Sequence, residues 1–355
     1  MLTLKPWLQS AYDEVALALE LNRLPSSIII SGDLRLQSAS LAIAIAKLFL
    51  CENLQGRQPC GKCHSCMQLS DEGLSNPDFL AVLSSTKEEF DQEEDLSHKA
   101  SALLDNTIKA DGTSLRIDTL RRFQDWLVQS SMGSRGKVAV ISNAHLMPEA
   151  AANAILKTFE EPPNNTLIIM LTKSTDALLP TILSRAFKVY IKKPDFKSAC
   201  QELEDLKVDT KYAAQALCLS AGAPFTAAEL IKSQKIDKVL DLLDSLSNTL
   251  CNRQDPQEFI EKLFKKDAKI PIFSPQERGA ILAEFLLELL KYKAHISEDK
   301  LPLLRGMDVK ALSKIKAKRI FIAKDALKFL QGANNMSPLR TPQIFMRAWI
   351  DDLKS

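Results

Sequence analysis

Between Lys137 and Ile191 the chain alternates short aliphatic runs with helix-forming stretches, the pattern of an α/β core with a parallel sheet. Val138, Ala139, Val140 and Ile141 make a run short enough for a fully buried strand. Ser142, Asn143, Ala144 and His145 end it. Pro148 then opens an Ala-rich helix predicted from Ala150 to Glu161, which Pro162 and Pro163 stop. A second buried strand is predicted from Leu167 to Leu171, ending at Thr172. A further strand is predicted from Phe187 to Ile191. Between these two lies an apolar, helix-like run from Leu178 to Arg185. Nearer the N-terminus, Ser27 to Ile30 reads as another strand. It leads through Ser31 into Gly32, and an aliphatic helix follows from about Ser38 to Leu50.

Strand, glycine loop and helix form the frame on which a P-loop holds phosphates. A working loop, G-x-x-x-x-G-K-[ST], supplies backbone amides for the phosphates, a Lys for the β/γ charge and a hydroxyl for the metal. Counted from Gly32, the second Gly position holds Gln37, the Lys position Ser38 and the hydroxyl position Ala39. A P-loop ATPase also places acidic residues just after a later strand, to hold Mg²⁺ and orient a water. Here those positions, after Ile141, are Ser142 and Asn143. Neither is an anionic ligand. Two separate halves of one site are missing together, so no ATP hydrolysis in cis is expected. The helix N-terminus at Ser38 retains free amides and so a weak pull on anions.

The order of elements, with the residue runs Ala152 to Pro163 and Ile182, Leu183, Ser184, Arg185, closely resembles the clamp-loader branch of the AAA+ ATPases. The resemblance extends from about Pro6 to Pro224 and is most specific from Lys137 to Phe187; beyond it the chain resembles the family only as a generic helical domain. It implies an AAA+-type parallel-sheet α/β domain, a small helical lid domain, and an all-α C-terminal collar domain through which subunits form a ring. It also implies that Arg185, with Ser184 beside it, faces the ATP site of a neighbouring subunit as an arginine finger. Such a cation stabilises γ-phosphate charge as it redistributes. The family usually follows this Arg with Cys; here it is Ala186, a change that removes no charge. The alternative for Arg185 is a structural cap on the preceding helix end. Thr172 takes the place of the family's first sensor, or is an ordinary strand-end Thr. The lid-borne second sensor falls at Phe225 or Thr226, neither of which is basic.

A second motif stands on its own. Cys51, Cys60, Cys63 and Cys66 follow the first aliphatic helix directly, and two-residue gaps let adjacent thiolates chelate one ion without strain. Pro59, Gly61 and Lys62 supply turn chemistry around the second ligand. Four protein ligands close a tetrahedral Zn²⁺ shell, which makes the expected zinc structural and not catalytic. His64 is surplus to that shell. A redox cluster or free buried thiols are the rival readings. Cys200, Cys218 and Cys251 lack ligand spacing and are read as core residues.

At 355 residues the chain is too long for one ordinary core. The expected division is an AAA+-like α/β domain over 1–192 with the zinc module at 51–66, a lid over 193–235 hinged at Lys192 to Asp195, and a collar over 236–355. Apolar stripes from Val239 to Leu246 and from Ile281 to Leu290 carry the helical period of that last region. The absence of a secretory n-region and of a long apolar span argues against membrane insertion and export, and seven Cys with a metal pattern suit a reducing compartment, so a cytoplasmic protein is expected. A net charge of +2 predicts no nucleic-acid binding by itself. Two local features stand apart: an acidic run, Lys87 to Asp95, read as part of a solvated insertion over 84–114, and a basic cluster, Lys310, Lys314, Lys316, Lys318 and Arg319. Lys314 and Lys318 are expected to share a solvated helix face.

The function expected is that of a zinc-bearing clamp-loader subunit with no ATPase or polymerase activity of its own. The resemblance implies gamma/tau-type ATPase subunits and a delta-type subunit as partners, with a sliding clamp and primed DNA reached through the complex. An active AAA+ motor subunit and a stand-alone zinc nucleic-acid-binding module are the alternatives.

Overall fold

A five-stranded, all-parallel sheet organises the first half of the chain in the computed structural model, which describes residues 4–69, 75–85, 101–104, 114–267, 270–327 and 342–354. Helix α1 (Pro6–Glu20) precedes strand β1 (Ser27–Ser31), helix α2 (Ser38–Leu50), the short α3 (His64–Gln68) and strand β2 (Phe79–Val82). There follow α4 (Ile117–Val128), β3 (Lys137–Ile141), α5 (Glu149–Glu160), β4 (Thr166–Thr172), α6 (Pro180–Leu183) and β5 (Phe187–Tyr190). The sheet order is β2-β3-β4-β1-β5. All seven residues of β4 and all five of β3 are buried, as strands covered on both faces must be. Ser31 pairs with Thr172 and Ile141 with Met170, so β1, β3 and β4 end at one edge of the sheet. The loops that follow these strands therefore gather where open α/β sheets place their ligands.

Helix α2 explains its own burial. Its run of Leu, Ile and Ala leaves little polar surface, and eleven of its residues are buried. Helix α4 buries Leu120, Phe123, Trp126 and Leu127 in the cluster that also takes Ile155 and Phe159 of α5. Gly136 immediately precedes β3 with φ +116°, and a Cβ there would lie 1.9 Å from the Asn165 carbonyl oxygen. That carbonyl accepts the Lys137 N–H at 2.9 Å and so sets the first register bond between β3 and β4. Gly136→Ala must push the two strand starts apart. Urea unfolding of the full chain should show it destabilised by about 3–4 kcal/mol, while a loss within about 0.5 kcal/mol would mean the loop yields freely.

The chain divides into two compact units, Met1–Pro194 and Asp195–Ser355. Asp195 accepts the Ser198 N–H at 2.7 Å and caps α7 (Phe196–Asp205), the first helix of the second unit. With α8 (Ala213–Leu219) and α9 (Pro224–Lys232) it buries an apolar cluster that ends at Ile236. A second cluster runs from Val239 to Leu353 through α10 (Lys235–Leu250), α11 (Pro256–Leu263), α12 (Pro275–Lys293), α13 (Val309–Leu312), α14 (Ala317–Ala326) and α15 (Pro342–Lys354). Ser274 and Glu277 form a capping box at the start of α12, and Glu277 also pairs with Lys235 of α10 at 2.7 Å. No described helix is long and apolar enough to cross a membrane.

Two expectations change and a third is not reached by the described residues. Lys314 and Lys318 share no helix, because α13 ends at Leu312 and α14 begins only at Ala317, after Lys316 in the cap position. Cys200, Cys218 and Cys251 are half-buried at cluster edges and not core residues. Cys218 donates its thiol to the buried Glu288 carboxylate at 3.1 Å, a polar task that an apolar core position would not offer. The acidic run Lys87 to Asp95 lies outside the described residues. The base of the insertion is closed by Ser85 and Ser114, which exchange backbone hydrogen bonds at 3.1 and 3.0 Å.

Candidate functional site

Gly32 opens the loop after β1 and donates its N–H to Thr172 O at 3.2 Å. Its φ of +133° and a Cβ position only 3.0 Å from Ile191 O leave no room for a side chain. From there the loop does not make a phosphate cradle. Asp33 accepts the Arg35 N–H at 3.1 Å and pairs with its guanidinium at 2.7 Å, tightening Leu34–Leu36 into one 3₁₀ turn. Leu34 and Leu36 are buried. Trp7 Nε1 donates to Leu36 O at 3.1 Å, and Ser38 Oγ donates to Leu34 O at 3.2 Å. Gln37 takes a left-handed conformation, φ 64° and ψ 42°, where a P-loop has Gly. That costs on the order of 1 kcal/mol for a side chain. Ser38 and Ala39 are buried. At the Lys position there is thus a hydroxyl turned back onto its own turn, with no cation to reach outward.

The second half of the site, past β4 in the sheet, is equally closed. Ser142 and Asn143 are fully buried. Ser142 Oγ accepts the Ser84 N–H at 3.1 Å, and Asn143 Nδ2 donates to Ser84 Oγ at 3.1 Å. Both side chains therefore tie the end of β3 to the segment after β2. Thr172 Oγ1 donates to Ser174 O at 2.6 Å, bracing the turn after β4. Phe225 and Thr226 lie half-buried in the first turn of α9.

Arg185 differs from all of these in its exposure. Its backbone is fixed, since its N–H donates to Ile182 O at 3.2 Å and its carbonyl accepts from Ser27 Oγ at 3.3 Å. Its side chain is 43% exposed. Nη1 donates to Thr181 O at 3.0 Å and to Ser184 Oγ at 3.4 Å, and Nη2 pairs with Glu160 Oε1 at 3.4 Å. The guanidinium caps the end of α6 and remains reachable from outside. Glu160 was not singled out by sequence reasoning. It lies in the run that carries the family resemblance, yet nothing local links it to a residue 25 positions away.

The cysteine motif folds into one cluster. The Sγ atoms of Cys51, Cys60, Cys63 and Cys66 all lie within 4.8 Å of one another, and those of Cys60 and Cys66 are 4.0 Å apart. A tetrahedral shell with Zn–S of about 2.3 Å needs Sγ atoms about 3.8 Å apart, so this donor set fits zinc after a small contraction. The amides of Lys62 and Cys63 donate to Cys60 Sγ at 3.4 and 3.3 Å and pull its thiol well below the ordinary value. The Cys60 N–H donates to Cys51 Sγ at 3.2 Å. Burial acts oppositely on Cys51 and Cys66, raising both thiols, a cost that a bound cation would offset. His64 is exposed at the start of α3 and does not belong to the cluster.

Comparison with known proteins bears on most of the chain. Residues 7–195 match the family described as DNA polymerase III, delta subunit. The chain is 29% identical over 297 residues to a DNA polymerase III subunit delta' from Haemophilus influenzae, covering 83% of this chain and 80% of that one. A subunit delta' from Yersinia pestis is 27% identical over 313 residues, covering 85% and 82%. One from Escherichia coli is 28% identical over 228 residues, covering 64% and 60%.

Proposed function

The chain belongs to the delta-prime family of DNA polymerase III clamp-loader subunits, and from that premise we propose that it works without hydrolysing ATP itself. The observation that carries this reading is the closed loop after β1. Its Lys position is a buried Ser38 bonded to Leu34 O, and its carbonyl at Leu36 is taken by Trp7. Ser142 and Asn143 stand where the metal-holding acids would be, and both are hydrogen-bonded to Ser84. With no Lys at its position, no metal hydroxyl after it and no carboxylate after β3, and with the loop's own Arg35 paired to Asp33, the site lacks the groups that stabilise γ-phosphate charge.

The chain's chemical contribution on this reading is Arg185, given across an interface to a neighbour's ATP. Its backbone is held rigidly while its side chain stays exposed, the combination a trans-acting cation requires. The remaining roles are structural. Cys51, Cys60, Cys63 and Cys66 would hold one Zn²⁺ that supplies cohesion and no reactive position. The α/β domain over 1–192 carries Arg185, the helical lid spans 193–235, and the collar over 236–355 joins the ring. The partners are gamma/tau-type ATPase subunits and a delta-type subunit in the cytoplasm. The assembled ring opens a sliding clamp and closes it on primed DNA, which it holds mainly through phosphate charge.

The test uses the purified chain alone and then mixed with ATPase and delta-type subunits. Alone it should show no Mg²⁺-dependent ATP turnover above that of a Gly32→Val variant; mixed, it should co-elute in a defined hetero-oligomer on gel filtration. Turnover that survives further purification and disappears in Gly32→Val would sink this reading in favour of an active motor.

A further inference from the structure

Arg185 is held from two sides, and only one of them is its own helix. Nη1 is pinned to the end of α6 through Thr181 O. A planar group attached at one corner still swings about that corner, and a swinging cation loses part of its value to a transition state that needs it in one place. Glu160 closes the second corner. It is the last residue of α5, whose preceding turn is fixed by the buried Ile155 and Phe159, and its Oε1 stands 3.4 Å from Nη2. The two anchors sit on different helices, so together they restrict how far the guanidinium can swing.

Among the described residues Nε of Arg185 has no hydrogen-bond acceptor and the side chain is 43% exposed, which leaves that N–H available to an incoming acceptor. Nη2 has two hydrogens, so a phosphate can meet the Nε edge of the fork while Glu160 keeps its place. We propose that Glu160 is a positioning residue for Arg185, orienting its guanidinium toward an anionic phosphoryl group of a neighbouring subunit's nucleotide. The role rests on the reading of Arg185 as a trans-acting finger. Both side chains are nearly half exposed, at 43% and 46%, so the pair is reversible, screened by salt and modest in effect.

The experiment rebuilds the complex with full-length wild-type, Glu160→Gln, Glu160→Asp, Arg185→Ala and the double variant Glu160→Gln/Arg185→Ala, after equal assembly is verified. The quantity read is the part of the clamp- and DNA-stimulated ATPase rate that Arg185→Ala removes. Glu160→Gln should lower that part of kcat about two- to fivefold, the range an exposed ion pair supports, with KM for ATP unchanged. Glu160→Asp should restore some of it, the double variant should lose no more than Arg185→Ala alone, and the wild-type advantage over Glu160→Gln should shrink at high salt. If Arg185→Ala loses rate and Glu160→Gln does not, the positioning role is wrong while the finger stands. Additive losses in the double variant would also refute it, placing the effect of Glu160 elsewhere. If Arg185→Ala itself changes nothing, both readings fall together.

Discussion

Arg185→Ala should leave the chain folded and assembled, yet cut ATP hydrolysis at one neighbouring site by about 10³–10⁵-fold, the range for removal of an arginine finger. Folding should survive because the residue contributes little to the core. Its side chain is 43% exposed, and its pair with Glu160 is of the surface kind, worth at most about 1 kcal/mol. The bonds that fix the local backbone, Arg185 N–H to Ile182 O and Ser27 Oγ to Arg185 O, do not involve the side chain. The loss at the neighbour's site should be large because a guanidinium delivered into a dry interface stabilises phosphoryl charge that water stabilises less well. Lys at this position should rescue only part, since a point charge lacks the planar fork. Bulk turnover of the complex should fall only moderately, because other ring sites keep their own fingers. Single-turnover hydrolysis in rebuilt complexes is the measurement that separates sites. Equal rates and equal clamp loading with wild-type and Arg185→Ala chains would make Arg185 a structural cap on α6 and nothing more.

The residues most legible in the sequence are those whose partners are close along the chain or whose environment is uniform. Helix α2 runs from Ser38 to Leu50 as its aliphatic composition predicts, and β1, β3 and β4 fall within a residue of their apolar runs. This follows from a parallel sheet buried on both faces, where the hydrophobic run and the strand are the same object. Helix α5 ends at Glu160, one residue before the predicted stop, because Glu161 precedes Pro162 and is forced out of the helical region to φ −129° and ψ 69°. The four cysteines were legible for the same local reason: short spacings bring the ligands together regardless of the rest of the fold. What the sequence hid is non-local. Nothing in Leu34 to Leu36 announces that Trp7 will take a loop carbonyl, nor that Gln37 will hold a left-handed backbone. Ser142 and Asn143 read as missing acids, but their bonds to Ser84 depend on β2 lying beside β3. The Glu160–Arg185 pair likewise needs α5 and α6 to pack before it exists.

Removing the metal should have the largest effect on stability. One Zn²⁺ per chain is expected on Cys51, Cys60, Cys63 and Cys66, and Cys63→Ala should bring bound zinc close to zero after extensive dialysis. A structural zinc contributes roughly 10–16 kcal/mol to isolated zinc-finger peptides, which have almost no other core. This module has other support. Tyr12 of α1 donates to Arg57 O at 3.1 Å, Arg57 pairs with Glu20 at 2.7 Å, and Leu69 is fully buried. Cys51 and Cys66 are themselves buried and, as neutral thiols, still pack as small apolar groups. The expected destabilisation is therefore smaller, about 3–5 kcal/mol, at the upper end of single-substitution effects, where loss of a metal belongs. It should also be local, since the sheet is built without any of the four ligands. Hydrogen exchange should thus accelerate across residues 51–69 while β3 and β4 keep their protection. Elemental analysis of wild-type and Cys63→Ala chains, with exchange measured before and after chelation, tests both halves of the argument. A Cys63→Ala chain that keeps a full equivalent of tightly bound zinc would overturn the ligand assignment. Chelation that empties the site without changing exchange at 51–69 would show instead that the cluster binds zinc but does not rely on it for its fold.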